Sequence, residues 1–132
     1  MSHRRFVLGL VGSAAAAALA LVAGYDPATN AWFPPCPFHA WTGLYCPGCG
    51  ALRAAHALLR GDVRRALGFN ALAVVAAPLL LAGVVREGYR LSRGADPIGM
   101  RLPAWSIRAL LGVILAFGAL RNLAACAWLA PR

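Results

Sequence analysis

Long runs of uncharged, apolar residues are the feature that most constrains this chain. The first of them, residues 6–24, contains no charged side chain. At about 1.5 Å of rise per residue, an α-helix of that length spans about 28 Å, close to the ~30 Å thickness of bilayer hydrocarbon. Apolar residues make up 61% of the 132 positions, which is more than soluble domains usually hold. The chain is therefore predicted to be an all-α integral membrane protein.

Turn formers and short helical patterns divide the chain into segments. Asp26-Pro27 and Pro34-Pro35 follow the first apolar run and exclude a helix there. A later amphipathic stretch, residues 49–60, is too short to cross a bilayer, so we predict an interfacial or re-entrant helix. The predicted segments are an N-terminal transmembrane helix at 1–24, a cysteine-rich outer loop with the amphipathic helix at 25–70, a second transmembrane helix at 71–85, a basic cytoplasmic loop at 86–104, and a third transmembrane helix with the C-terminus at 105–132.

Single residues mark several helix ends. Gly61 is predicted to end the amphipathic helix, and Asp62 to cap a further helical turn. Asn70 is predicted as the N-cap of the second transmembrane helix, and Pro78 is predicted to kink it. For the first segment the alternative is a signal peptide cleaved at the A-L-A sequence of residues 18–20. Because its apolar run exceeds the usual ~7–15 residues of a signal peptide, an uncleaved helix is favoured.

The charge is strongly basic, with thirteen Arg or Lys residues against four acids and a net charge of +9. Because the arginines lie beside apolar runs, the lipid bilayer is the predicted partner, with another membrane protein as a further one, and nucleic acid is not expected. The excess of inner arginines predicts a multi-pass inner-membrane protein with its N-terminus inside and its cysteine-rich loop outside. The inner arginines would be Arg4, Arg5, Arg86, Arg90, Arg93, Arg101 and Arg108, and the outer ones Arg53, Arg60, Arg64, Arg65 and Arg132.

Three of the four cysteines lie in one short stretch, residues 36–50. Cys46 and Cys49 form a Cys-Pro-Gly-Cys sequence, and Cys36 and His39 repeat that spacing just before it. Under the predicted topology, Cys126 near the end of the third helix lies at the same outer level. All four cysteines are therefore expected to be able to meet at the outer face.

A metal site is the first interpretation of this stretch. Two thiols three residues apart, with small residues between them, have the form of a zinc knuckle. Cys36, Cys46 and Cys49, with His39 or Cys126 as the fourth ligand, make a set suited to a closed, tetrahedral zinc site. The gap between the two pairs is shorter than usual in zinc sites, and an interfacial loop position is the alternative role for His39.

Thiol–disulfide chemistry is the second interpretation. A Cys-x-x-Cys at a helix N-terminus has a lowered thiol pKa, and nearby cations lower it further. Arg53 and His56 fall on the same helical face as Cys49, so a thiolate at Cys46 or Cys49 is expected at neutral pH. Cys46 and Cys49 would then cycle, with Cys36 resolving the bond. A third interpretation is one or two structural disulfides, whose pairing the sequence leaves open.

Arg121, with Asp62 as a candidate partner, is predicted to support the site. Arg121 lies near the outer end of the third helix, where a charge is costly unless it is paired or reaches the headgroups. An ion pair with Asp62 or Asp26 would brace that helix against the cysteine loop. The alternative is that Arg121 extends to the headgroups.

The cysteine stretch also carries a family resemblance. Its C-P-F at 36–38 and T-G-L-Y-C-P-G-C-G at 42–50, followed by Arg53, His56, Gly61-Asp62 and Asn70, and later by R-N-L at 121–123, resemble the short bacterial membrane proteins grouped as domain of unknown function 2752. The resemblance covers about residues 33–129. It implies a small helical integral membrane protein and assigns no catalytic residue. Where that family commonly has Thr-Arg, this chain has Leu52-Arg53 and lacks the hydroxyl.

Two classes of function follow. One is an accessory or scaffold protein, in which a zinc or disulfide site shapes a surface for a partner or lipid. The other is a membrane-embedded thiol oxidoreductase that uses Cys46 and Cys49. The chain has no paired carboxylates, no Ser/His/Asp set and no phosphate-binding Gly-rich loop, so a non-enzymatic role is favoured.

Overall fold

The computed structural model describes residues 2–95 and 103–131, and within them it contains helices and no strands. This confirms the predicted all-α class. Arg101 and Arg132, which entered the topology prediction, and the turn residues of the basic loop at 96–99 lie outside the described residues. The helices are α1 (Ser2–Gly24), α2 (Pro37–Thr42), α3 (Ala51–Leu59), α4 (Val63–Ser92), α5 (Ala104–Leu120) and a 3₁₀ helix (Ala124–Leu129).

A tight helical hairpin of α3 and α4 forms the centre of the fold. Gly61, at a φ of +79°, makes the turn between them, and the Asp62 side chain caps α4 by accepting a hydrogen bond from Arg65 N–H at 2.9 Å. Both predicted helix ends are therefore confirmed. Alanines line the contact and let the helices approach closely. The buried apolar cluster is Ala54, Ala57, Ala66 and Phe69.

Helix α4 is interrupted at Asn70, whose φ of −160° and ψ of 96° are not helical. Its side-chain oxygen accepts a hydrogen bond from Ala73 N–H at 2.9 Å, which is the N-cap that the sequence predicts. Pro78 lies inside the helix that follows. That helix continues to Ser92, so it is longer than the predicted 71–85 and takes in the first part of the predicted basic loop.

The C-terminal segment is not one continuous helix over 105–132. Helix α5 ends at Leu120, Arg121 follows as its C-cap, and the chain resumes as the 3₁₀ helix after an extended Leu123. The interruption lies where Arg121 and Asn122 turn toward the cysteine loop. The side chains of Arg121 and Asn122 hydrogen-bond to that loop at the point where the helix ends.

Among the described residues one helix, α4, is long and apolar enough to cross a membrane. The apolar part of α1, Gly9–Gly24, and helix α5 are shorter than the usual span. The number of membrane crossings predicted from the sequence, about three, therefore stays a prediction.

Candidate metal centre

The Cys46–Cys49 sequence forms a tight turn at the start of α3. Cys49 N–H donates to the Cys46 carbonyl at 3.1 Å, and Cys46 N–H donates to Cys49 Sγ at 3.3 Å. Gly50 closes the turn at a φ of +79°, and a Cβ there would lie 2.6 Å from the Phe69 carbonyl oxygen. Glycine is therefore required at position 50 by both backbone conformation and the close approach of α4.

The turn brings three sulfur atoms together. Cys46 Sγ lies 3.5 Å from Cys36 Sγ and 3.2 Å from Cys49 Sγ, and all three lie within 4.8 Å of one another. Sulfurs bound to one tetrahedral zinc ion at about 2.3 Å are about 3.8 Å apart. The three thiols are therefore close to the spacing of a shared metal ion, as the metal interpretation requires. All four cysteines are free thiols in the structure.

Cys36 reaches this cluster from the start of α2. It is the N-cap residue of that helix, with Pro37 at the first helical position. A hydrogen bond from the backbone N–H of His39, with a second from the Cys46 thiol, lowers the pKa of the Cys36 thiol. The Cys36 thiol therefore loses its proton more readily than an ordinary cysteine thiol.

Cys49 has the opposite environment. Burial raises the pKa of its thiol to about 12, and the hydrogen-bonded thiols of Cys46 and Cys36 act in the same direction. The sequence predicts a thiolate at Cys46 or Cys49. At Cys49 this prediction is wrong, because desolvation outweighs the cations predicted to lie nearby, and at Cys46 it stays a prediction. One of those cations, His56, lies elsewhere, as described below.

Neither predicted fourth ligand belongs to the group of three converging thiols. His39 nevertheless lines the same cavity of about 190 Å³ as Cys36, Cys49 and Arg53. Its Nδ1 lies 3.2 Å from the Leu44 carbonyl oxygen, and its ring stacks on Tyr45 with 4.5 Å between centroids. A proton on Nδ1 for that contact leaves the Nε2 lone pair available to a metal.

Cys126 lies in the 3₁₀ helix and is half-buried. It is absent from the lining of that cavity, which reaches the C-terminal segment only through Pro131. The choice between His39 and Cys126 as the fourth ligand stays a prediction. The observation that favours His39 is the cavity that it shares with Cys36 and Cys49, which Cys46 does not line.

Arg121 braces the C-terminal segment against the turn, as predicted, but through different partners. Its side chain is 1% exposed. Nη1 donates to the carbonyls of Cys46, Pro47 and Cys49 at 3.1–3.2 Å, and Nη2 donates to the Phe69 carbonyl at 3.3 Å. The predicted ion pair with Asp62 or Asp26 is wrong, because those carboxylates accept hydrogen bonds from the backbone close to them in sequence.

Two asparagines complete the hold on the turn, and neither was identified as a site residue from the sequence. The Asn70 amide nitrogen donates to the carbonyls of Pro47 and Cys49 at 2.9 and 3.1 Å. Asn122 binds both backbone groups of Tyr45, accepting from its N–H and donating to its carbonyl, each at 2.8 Å. The signal for Asn122 was its place beside Arg121 in the R-N-L sequence.

The two cations predicted beside Cys49 separate in the structure. Arg53 lines the cavity of the cysteines, and its guanidinium lies 5.7 Å from the centre of the Phe69 ring. The His56 Nδ1 instead lies 2.6 Å from the Val22 carbonyl oxygen, and Arg60 donates to the Ala23 carbonyl at 3.2 Å. These two side chains therefore provide hydrogen-bond partners for the C-terminal end of α1, whose last carbonyls lack partners within the helix.

Residues 36–84 match the model of a family described as "Protein of unknown function (DUF2752)". The match confirms the predicted family resemblance over residues 36–84, and the later part of that resemblance, which includes the R-N-L sequence at 121–123, stays a prediction. It includes the three clustered cysteines and Asn70 and ends before Arg121 and Asn122. No curated protein and no solved structure matches the chain.

Proposed function

We propose that this chain is a small membrane protein whose cysteine turn holds one structural metal ion, with zinc as the ion, and that it acts as an accessory or scaffold protein. The observation that carries the proposal is the convergence of three thiols within 4.8 Å of one another. Soft thiol ligands on a tight turn are the donor set that zinc prefers in structural sites. His39 is the proposed fourth ligand.

The position of the site in the fold supports a structural role. The cluster joins Cys36 at the start of α2 to the turn that begins α3. An ion bound there would tie the loop of residues 25–36 to the central hairpin. Because such a site does not exist in the unfolded chain, its binding free energy adds directly to folding.

Membrane placement is part of the same proposal. Helix α4 meets the length and composition of a membrane span, and large apolar side chains such as Leu79, Leu80 and Leu115 are each about two-thirds or more exposed. Lipid is the environment in which such a surface is stable. Exposed Trp32, Trp41 and Trp128 have the character of residues at the membrane–water interface.

A thiol oxidoreductase is the second candidate, favoured by the 3.2 Å contact between Cys46 and Cys49 sulfurs. Such an enzyme needs a reactive thiolate in its Cys-x-x-Cys pair. The burial of Cys49, with a thiol pKa of about 12, opposes Cys49 as the attacking thiol, so Cys46 would have to take that role. The third thiol in contact, Cys36, also suits a metal set better than a simple dithiol pair.

Metal analysis of the purified protein tests the proposal. Protein extracted in detergent without chelators should contain one zinc ion per chain, and its metal-bound thiols should react with a thiol reagent only after chelation. Cys36→Ser and Cys46→Ser should each lose the ion. His39→Ala and Cys126→Ser form a matched pair, of which His39→Ala should weaken binding and Cys126→Ser should not.

The contrary result is a protein that binds no metal and carries a reducible disulfide. Protein that contains no metal when isolated, binds no added zinc, and shows a Cys46–Cys49 disulfide that a mild reductant opens would overturn the metal proposal. That result would support the oxidoreductase instead.

A further inference from the structure

Arg121 carries a full positive charge in the interior of the described structure, and that charge has no carboxylate partner there. Of the described acids, Asp26 and Asp62 accept hydrogen bonds from the nearby backbone, and Glu87 pairs with Arg90. The fourth acid of the sequence, Asp96, lies outside the described residues. A buried cation that contacts only neutral groups is costly, since carbonyl dipoles repay only part of its lost hydration.

We propose that Arg121 is the buried counter-charge of the metal site, and that the site is therefore built for a divalent ion bound by three thiolates. This inference rests on the metal site proposed above and states the charge of its complex. Arg121 is a positioning residue here, because it contacts the backbone of the ligands and no ligand sulfur.

Charge counting is the first support. A divalent ion with three thiolates and a neutral imidazole carries a net charge of −1. The guanidinium brings the whole assembly to zero. Without Arg121 the complex would be a buried anion, and without the complex Arg121 is a buried cation, so each offsets the desolvation cost of the other.

The contacts of Arg121 are the second support. Its Nη1 touches the carbonyls of both Cys46 and Cys49, the two cysteines of the turn. Only the backbone carbonyl groups of Cys46 and Cys49 therefore separate the guanidinium charge from the side chains of these two proposed ligands. The rings of Phe117 and Tyr45, at 5.0 and 5.9 Å from the guanidinium carbon, stabilise a cation at this place.

The fork shape of the guanidinium explains part of this arrangement by geometry alone, since four carbonyls need several donors in fixed directions. Geometry and charge can be separated by substitution. Lysine keeps the charge and loses the fork, whereas glutamine keeps a hydrogen-bonding head and loses the charge. Asn70→Leu removes two hydrogen bonds to the same turn and leaves the charge in place.

The test measures zinc affinity by competition with a chromophoric chelator in wild-type protein, Arg121→Lys, Arg121→Gln and Asn70→Leu, each first shown to be monodisperse in detergent. Arg121→Gln should bind zinc about 10–100-fold more weakly, the range typical of groups that support metal ligands. Arg121→Lys should retain tighter binding than Arg121→Gln. With Co²⁺ as a spectroscopic probe, the sulfur-to-metal absorption should show three thiolates in wild type and in Arg121→Lys and fewer in Arg121→Gln.

Equal zinc affinity of Arg121→Gln and wild type, or a weaker affinity of Arg121→Lys than of Arg121→Gln, would overturn the inference while leaving the zinc site intact. Failure of wild-type protein to bind zinc would instead remove the proposed function itself. If Arg121→Gln does not fold, the comparison of Arg121→Lys with wild type decides. Lysine should then give the full thiolate signal, and its loss would contradict a role for the charge.

Discussion

The turn at Cys46–Cys49 is held by its carbonyl oxygens. Arg121 and Asn70 both donate to the carbonyls of Pro47 and Cys49, and Arg121 also donates to that of Cys46. A hydrogen bond to a charged donor contributes about 1.5–3 kcal/mol, and a buried polar group left without a partner costs about 1–3 kcal/mol. These contacts fix the backbone of the turn and with it the positions of Cys46 and Cys49.

Proton competition should govern metal affinity at this site. The pKa of the Cys49 thiol is about 12, above the ordinary 9.0, so this thiol is protonated at neutral pH. The ion must displace that proton, and binding therefore strengthens as pH rises. Between pH 6 and 8 we expect the zinc affinity to rise about tenfold per pH unit for each proton released. Competition titrations at three pH values measure this slope.

Cys49→Ser is the matched variant for that slope. Removal of one protonated thiol should lower the number of protons released on zinc binding by one and flatten the pH dependence accordingly. A slope that is identical in Cys49→Ser and wild type would show that Cys49 is not a ligand.

Local sequence rules predicted which residues belong to this site better than they predicted which groups those residues contact. The Asn70 N-cap follows from its place before an apolar run, because a cap needs only the next helical turn. Its amide contact with Pro47, 23 residues away, requires the hairpin to be formed. For Arg121 a carboxylate partner was expected. Its partners are instead backbone carbonyls of residues that lie 52–75 positions away in the sequence. Such a partner set has no pattern in the sequence.

Among the helices, the hairpin of α3 and α4 was predictable because glycine and aspartate mark its turn. The length of α4 was not, since the arginines and the glutamate at 86–93 suggested a loop. Those charges lie on the last turns of a helix that continues to Ser92. The end of α5 was also missed, because Ala and Leu continue past Arg121 and only the tertiary contacts of Arg121 and Asn122 interrupt the helix.

Helix α5 contacts the cysteine turn at Gly118, so substitution of this glycine tests how the helix packs against the turn. A Cβ on Gly118 would lie 2.8 Å from Pro47 Cγ, whereas Gly112 in the same helix has no atom within 4 Å of that position. Gly112→Ala should stabilise the protein by about 0.5–1 kcal/mol through helix propensity. Gly118→Ala should lose that gain and a further ~1–3 kcal/mol through overpacking. Thermal unfolding in detergent compares the two, and a stabilised Gly118→Ala would mean that α5 does not pack on Pro47.

At the scale of the whole molecule, the cysteine turn and the far end of α4 are separated by about the thickness of a bilayer. Asn70 contacts the cysteine turn, and α4 continues from there to Ser92. Twenty-two residues of helix extend about 33 Å, which matches the ~30 Å hydrocarbon layer. If α4 crosses the membrane, the cysteine turn and Ser92 must therefore face different compartments.

The excess of arginines at the predicted inner positions predicts that the cysteine turn lies on the outer side, and single added cysteines test that prediction. Thr29 and Ser92 both lie in exposed positions, Thr29 in the loop before Cys36 and Ser92 at the far end of α4. In intact cells a membrane-impermeant maleimide should label Thr29→Cys above the wild-type background, because position 29 would be outside. Ser92→Cys should be labelled only after the membrane is opened, because it would be inside. The reverse pattern would invert the orientation, and labelling of both variants in intact cells would show that α4 does not separate the two ends.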